Sequence, residues 1–337
     1  MPRGTEEGRV MDEVLSWLLQ SEEPSVRWRV RTGVLGEADD TRSVRALRDE
    51  VRRSPRVRAI VKGAEGMRPY AKWKGPHWAL LSLAGLGYPA GDSELSSLRD
   101  AVLDHWLAPR YMKDVDVSRA TKAAAQAGVV RIAGRARRCG SQQGGALLAI
   151  VRLGIDDGRG ATLAGRLREW QWPDGGWNCD VSPSAAMSSV NETLLPMRGL
   201  KSYADASGDT SAADTARGAA EVLLERRVAW RRSSAEPIAP DVMKTHHPVY
   251  WHYDFLAGLI GLMELGLLAD PRCGDALDYL QSQRRPDGGW GADVKYWRVS
   301  DDGSNIESVS WGPVSRQVSN EWVTCEALTV LAAAGRL

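Results

Sequence analysis

Along this 337-residue chain, two kinds of apolar pattern alternate. In one, apolar residues recur every third or fourth position among charged ones. In the other, nearly every position is apolar or small. Both carry the 3.6-residue period of a helix, the first half-exposed and the second buried. The apolar stretches read roughly Val26–Leu35, Trp78–Leu86, Gly144–Leu153, Val190–Tyr203, Tyr253–Leu265 and Trp322–Ala334. Their charged partners read roughly Met11–Gln20, Thr41–Arg53, Ser93–Trp106, Ala161–Trp170, Ser211–Val228 and Cys273–Arg284. Glycine follows most of the apolar stretches, at Gly36, Gly87, Gly154, Gly266 and Gly335, where a left-handed cap ends a helix. The fourth stretch holds Pro196 and has no such glycine, so a kinked or shorter helix is expected there. Pro55 is expected to end the second charged helix. No run alternates convincingly as a strand, Asp114–Arg131 being ambiguous.

Repeats of HEAT or tetratricopeptide type, which build open solenoids, are shorter than this unit of roughly 50 to 70 residues. Six pairs with an apolar and a charged member predict an all-α fold, a single (α/α)6 toroid over residues 1–337. Long connections are expected at about 108–138, 231–247 and 291–319. Of these, 231–247 reads as mobile and 291–319, with Trp297 and Trp311, as an ordered flap.

Two tracts are near copies: Trp172-Pro173-Asp174-Gly175-Gly176-Trp177 and Pro286-Asp287-Gly288-Gly289-Trp290. Proline sets φ, aspartate bonds its own backbone, and glycine reaches positive φ, so each tract is a tight turn. The Trp that follows is an anchor for neighbouring helices. With Gln171 and Gln283 before them, these tracts resemble the QW repeats of squalene–hopene cyclases and of the protein prenyltransferase β-subunit superfamily. The whole chain further resembles single-toroid, actinobacterial-type squalene-cyclase-like proteins, through Lys74-Gly75-Pro76-His77-Trp78, Arg138-Cys139-Gly140-Ser141-Gln142-Gln143-Gly144, Trp177-Asn178-Cys179-Asp180 and Tyr250-Trp251-His252-Tyr253-Asp254. The resemblance implies the same toroid. Cyclases of that superfamily protonate an alkene with a DxDD motif. Here Glu37-Ala38-Asp39-Asp40 follows an apolar helix at its wrong end, and Asp114-Val115-Asp116 lacks the further acids, so standard triterpene cyclisation is not expected.

Charge excludes other classes. With 44 basic and 43 acidic residues, no basic face calls for nucleic acid. The apolar run from Phe255 to Ala269 is interrupted by Glu264 and too short to span a bilayer. The start of the chain reads as no secretory signal, and four scattered cysteines read as free thiols, so a cytoplasmic protein is expected. Fourteen Trp and eight Tyr against one Phe favour side chains with polar edges and electron-rich faces, suited to planar or cationic ligands.

In a ring of parallel inner helices, all six N-termini gather at one mouth, where exposed N–H donors favour an anion. The residues there are polar or aromatic: Arg27 and Trp28, His77 and Trp78, Gln142 and Gln143, Asn191 and Glu192, Trp251 to Asp254, and Asn320, Glu321 and Thr324. Arg27 and Lys74 add positive charge at the rim. Asp254, Glu192 and His252 are the candidate acids and bases. His77, Trp78, Gln142, Gln143, Trp177, Asn191, Trp251, Tyr253, Glu321 and Trp322 are the candidate substrate contacts. No cofactor is expected. Zinc is the alternative, on Cys139, Cys179 and His252. Protein prenyltransferases use an Asp-x-Cys pair for zinc, and the adjacent Cys179-Asp180 departs from that spacing.

The expected function is a terpene-cyclase-like enzyme. It would act by acid/base cyclisation or isomerisation on a small apolar or polycyclic metabolite held in a central cavity. Carbohydrate cleavage by paired carboxylates and non-catalytic binding of a small molecule or peptide are the alternatives.

Overall fold

The computed structural model describes residues 6–300, 306–315 and 317–337. Helices make up 54% of it and strands 4%, so the helical reading holds in substance. In chain order the helices are α1 (Glu6–Leu19), α2 (Pro24–Arg29, continuing as a π-turn over Val30–Val34), α3 (Arg42–Arg53), α4 (Pro55–Ala64), α5 (Pro76–Leu86), α6 (Ser96–Trp106) and α7 (Lys122–Ala127). Then come α8 (Gly140–Arg152), α9 (Gly160–Trp170), α10 (Val190–Ser207), α11 (Thr210–Leu224), α12 (Phe255–Glu264), α13 (Gly274–Ser282) and α14 (Glu321–Ala333). The six apolar stretches become α2, α5, α8, α10, α12 and α14. All five capping glycines have positive φ, from 60° to 77°.

Three features differ from expectation. A parallel and antiparallel sheet of β1 (Asp114–Asp116), β2 (Val129–Ile132) and β3 (Arg135–Ala136) occupies the 108–138 connection. Its satellite core of Ala124, Val130 and Ile132 is too small for alternation to stand out in the sequence. Pro55 does end α3, but it also starts α4, because proline at a first helical position needs no N–H and Ser54 caps Val57. Finally, α10 is longer than expected and ends at Gly208 (φ 75°) with Pro196 inside it. The N–H that Pro196 lacks faces Gly144 of α8, where an added Cβ would lie 2.3 Å from the Pro196 nitrogen. Gly199 likewise sits against the Gly144 carbonyl, so the two backbones touch through glycine and proline.

Each Asp-Gly-Gly-Trp turn ties a charged helix to the apolar helix that follows. The Trp177 indole donates to Leu167 O at the end of α9 (2.9 Å), and Trp290 donates to Leu280 O of α13 (2.8 Å). Their backbone N–H groups donate to Thr193 Oγ1 of α10 and Thr324 Oγ1 of α14, 3.2 and 2.9 Å away. Asp174 accepts from Ser188 Oγ (2.6 Å) and Asp287 from Ser319 Oγ (2.8 Å), just before those helices. The repeat register is corrected here. Gln171 donates to Gly175 O, and its counterpart is Arg284, which donates to Gly288 O; Gln283 instead turns to Ser282.

The last apolar helix lies against the first. Arg29 of α2 pairs with Glu326 of α14 at 2.9 Å and donates to Gly85 O of α5 at 2.6 Å. Trp28 fills the space beside Gly87. The 231–247 connection is described throughout, with a short 3-10 turn at Pro240–Met243. In the 291–319 connection, residues 301–305 and 316 lie outside the described set; Trp297 and Trp311 within it are buried.

Gly176 has no room for a methyl group, since its Cβ would stand 2.4 Å from Thr193 Oγ1 and 2.7 Å from Ser188 Cβ. Gly176→Ala is expected to cost about 1–3 kcal/mol in denaturant unfolding. Gly165→Ala, in α9 with nothing within 4 Å, is expected to be neutral or to stabilise by up to about 1 kcal/mol. Equal effects would remove the clasp from its structural role.

Candidate functional site

A cavity of about 260 Å³ lies among α2, α5, α8, α10, α12 and α14. All six helices contribute to its wall, among them Leu81, Leu148, Leu195 and Ile260. One end is floored by His247 to Tyr250 and Trp311. The walls carry a connected set of charges that no single helix could satisfy alone. Arg198 grips Glu264 with two bonds, 2.8 and 2.7 Å, and Arg152 reaches the same carboxylate at 2.8 Å. Arg29 pairs with Glu326, whose Oε1 also meets His247 Nδ1 at 3.1 Å. His247 stacks on Trp322, rings 5.0 Å apart and nearly parallel.

These groups are enclosed by protein yet touch cavity space: the Arg152 side chain is 30% exposed and Glu264 19%. Burial alone would raise the Glu264 carboxyl, but Arg152 and Arg198 outweigh it and hold the group at about 2. Glu326 is also held at about 2, the hydrogen bond from His247 and the Arg29 guanidinium overcoming its burial. Burial pulls His247 below the ordinary histidine value despite Glu326. The imidazole is therefore neutral at pH 7, donating Nδ1–H to Glu326 and keeping Nε2 as a proton acceptor. Three guanidinium groups against two carboxylates leave one positive charge in a largely apolar chamber.

Of the helix-start residues read from sequence Trp28 lines this cavity, and none of the catalytic, substrate-contact or zinc candidates does. Asp254 caps α12 through Ala257 N–H (2.7 Å) and is paired with His246 at 2.8 Å. His252 stacks on Tyr296 and Trp251, and burial lowers it to about 3, helped by His246 and Lys72. Asp254 and Glu192 thus serve different neighbours rather than one another. His77 accepts from Trp106 Nε1 (3.2 Å), burial lowering it to about 3, and Trp78 packs edge-on to Trp73. Gln142 accepts from Arg138, whereas Gln143 is fully buried with its amide unbonded. Trp177 is the clasp anchor, and Asn191 lies half-buried in the first turn of α10. Tyr253 donates to Val228 O (2.6 Å), and Glu321 accepts from Ser21 (3.1 Å). Arg27 faces outward to Glu50.

The N-terminal ends of the apolar helices are therefore occupied by caps and by an aromatic plug. In that plug Trp73 stacks on Tyr250 at 4.0 Å. Of the zinc candidates, Cys139 and Cys179 do meet, but with Glu192 rather than His252. The cavity residues Arg29, Arg152, Arg198, Glu264 and Glu326 escaped the sequence reading as site residues. All five are charges inside apolar stretches, Arg152 and Glu326 each the single charge of its stretch, and only Glu264 was noticed, as an interruption.

No protein-family model matches the chain, and no curated protein matches it.

The depressed carboxyls set a pH window. A folded-state value below the unfolded one stabilises above the unfolded value and is lost as pH falls through the folded one. For Glu264 and Glu326 that window runs from 4.5 down to about 2. Each shift is worth roughly 3 kcal/mol. Denaturant unfolding from pH 7 to 2.5 should show stability falling steeply below about pH 4.5. Glu264→Gln should flatten part of that fall. At pH 7 the same change should cost about 3–5 kcal/mol by stranding Arg152 and Arg198. A stability constant across this range would contradict the pairing.

Proposed function

We propose that the six helix pairs form a closed (α/α)6 toroid and that its central chamber is the active site of a terpene-cyclase-like enzyme. Closure is supported by the Arg29 contacts, which join the first apolar helix to the second and the last. The substrate is a compact molecule with an apolar body and an anionic head. At about 260 Å³ the chamber falls just under the ~300–1,000 Å³ usual for small-molecule pockets.

The chemistry is proton transfer leading to isomerisation or cyclisation. One observation carries it: His247, held through Nδ1 against the Glu326 carboxylate, at the floor of a chamber with surplus positive charge. In this reading Nε2 takes a proton from substrate carbon, and the Arg152–Arg198 face holds the anionic head. Burying the head among guanidinium groups that are already fixed avoids reorganising them during reaction. Glu264 and Glu326 are both held ionised, so neither is a proton donor at neutral pH. The paired-carboxylate scheme of glycoside cleavage requires one that is, and fits less well.

Geranyl diphosphate, geranic acid and geraniol share one body and differ in the head. The two anions are expected to raise the melting temperature by a few degrees near saturation, and geraniol to have no effect. Arg198→Gln should abolish the shift. Incubation in D2O should place deuterium in a bound anion with the wild type and not with His247→Gln, which still binds. This exchange should survive to lower pH than an exposed histidine would allow, because burial favours the neutral imidazole. Binding without deuterium uptake would mean a binding protein; no shift with either anion would reject the reading.

A further inference from the structure

We propose that Cys139, Cys179 and Glu192 form a zinc site with one open coordination position, separate from the central chamber. The three residues offer one sulfur, one sulfur and one carboxylate oxygen, all within 4.8 Å of one another. Zinc bonds of about 2.3 Å to sulfur and 2.0 Å to oxygen, at tetrahedral angles, put those two atoms about 3.5 Å apart. Cys179 Sγ and Glu192 Oε1 are 3.5 Å apart. Magnesium and calcium prefer oxygen alone, whereas two thiolates with a carboxylate suit zinc.

The supports around the three ligands are already built. Glu192 Oε2 accepts from both Ser141 N–H (3.1 Å) and Ser141 Oγ–H (2.8 Å), which leaves Oε1 turned to the sulfurs. Such outer partners orient a ligating carboxylate and raise metal affinity. Ser141 reaches Glu192 because α8 and α10 touch through Gly144, Pro196 and Gly199. Cys139 immediately precedes α8. Cys179 lies two residues beyond the Trp177 anchor, in a loop closed by Ser189 N–H to Trp177 O (2.9 Å). Both thiols are half-buried rather than sealed in the core, so an ion can reach them, while Cys273 and Cys325 are buried and apart. Three protein ligands and a fourth vertex open to water is the pattern of zinc sites that bind or activate a small molecule. Uptake of Zn²⁺ releases the two thiol protons to buffer.

The test uses the full chain, reduced and stripped with a chelator, then titrated with Zn²⁺ alone against a chromophoric competitor. One equivalent is expected to bind. Co²⁺ in its place should give a thiolate charge-transfer band and tetrahedral ligand-field absorption. Cys139→Ser and Cys179→Ser should remove stoichiometric binding, Ser141→Ala should weaken it about 10–100-fold, and Cys273→Ser should leave it unchanged. Far-ultraviolet circular dichroism checks folding. If either ligand variant fails to fold, the Co²⁺ spectrum and Ser141→Ala decide. No stoichiometric uptake by the reduced chain, or unaltered uptake by both folded cysteine variants, overturns the proposal. So does a reduced chain that binds nothing but links Cys139 to Cys179 on oxidation. Neither result depends on the proton-transfer reading.

Discussion

Charges buried where apolar helices pack must find partners, and around the chamber each of them lies on another element. Arg29, Arg152 and Arg198 sit where their helices pack together, and water cannot fully solvate them there. Desolvating an ion costs several kcal/mol, and pairing roughly offsets that loss without exceeding it. The net stability from these pairs is small, but the penalty for leaving one unmade is large. Packing arrangements that separate α10 from α12, or α2 from α14, are therefore disfavoured. The same requirement keeps the chamber from filling with side chains, because its walls end in groups that need space and hydration. A cavity of this polarity follows from the pairing rule.

A second constraint acts outside the chamber. The two Asp-Gly-Gly-Trp turns repeat one set of bonds: indole to a helix end, aspartate to serine, backbone N–H to threonine. Separated by more than a hundred residues, they fix a charged helix to its apolar successor in the same way. In the first copy this also delivers Cys179 to Glu192, so a structural turn doubles as the arm of a ligand cluster.

Helices, caps and turns were legible because they depend on local rules. Glycine caps, the proline at Pro55 and the 3.6-residue period all act within a few residues of themselves. The mini-sheet was not legible, since β1 pairs with β2 across α7 and its core holds only a few side chains. The lining of the chamber was not legible for a different reason. Polar residues at helix starts, such as Asp254 and Asn320, satisfy backbone N–H groups, and sequence does not separate a cap from a ligand contact. Nor does it say which end of a helix faces open space. The better guide was the charge set within an apolar run, such as Arg152, Glu264 or Glu326, whose burial without a partner is too costly.

The bond between Arg29 and Glu326 spans 297 positions along the chain. A polypeptide emerging from the ribosome carries that arginine for almost its whole synthesis with no acid to meet it. Until α14 arrives, the chamber lacks one wall, His247 lacks the carboxylate that orients it, and Arg29 remains hydrated. Completion of the chamber is consequently reserved for the last helix. Products that stop short of α14 would hold most of the helices and lack the wall that Glu326 and Thr329 supply.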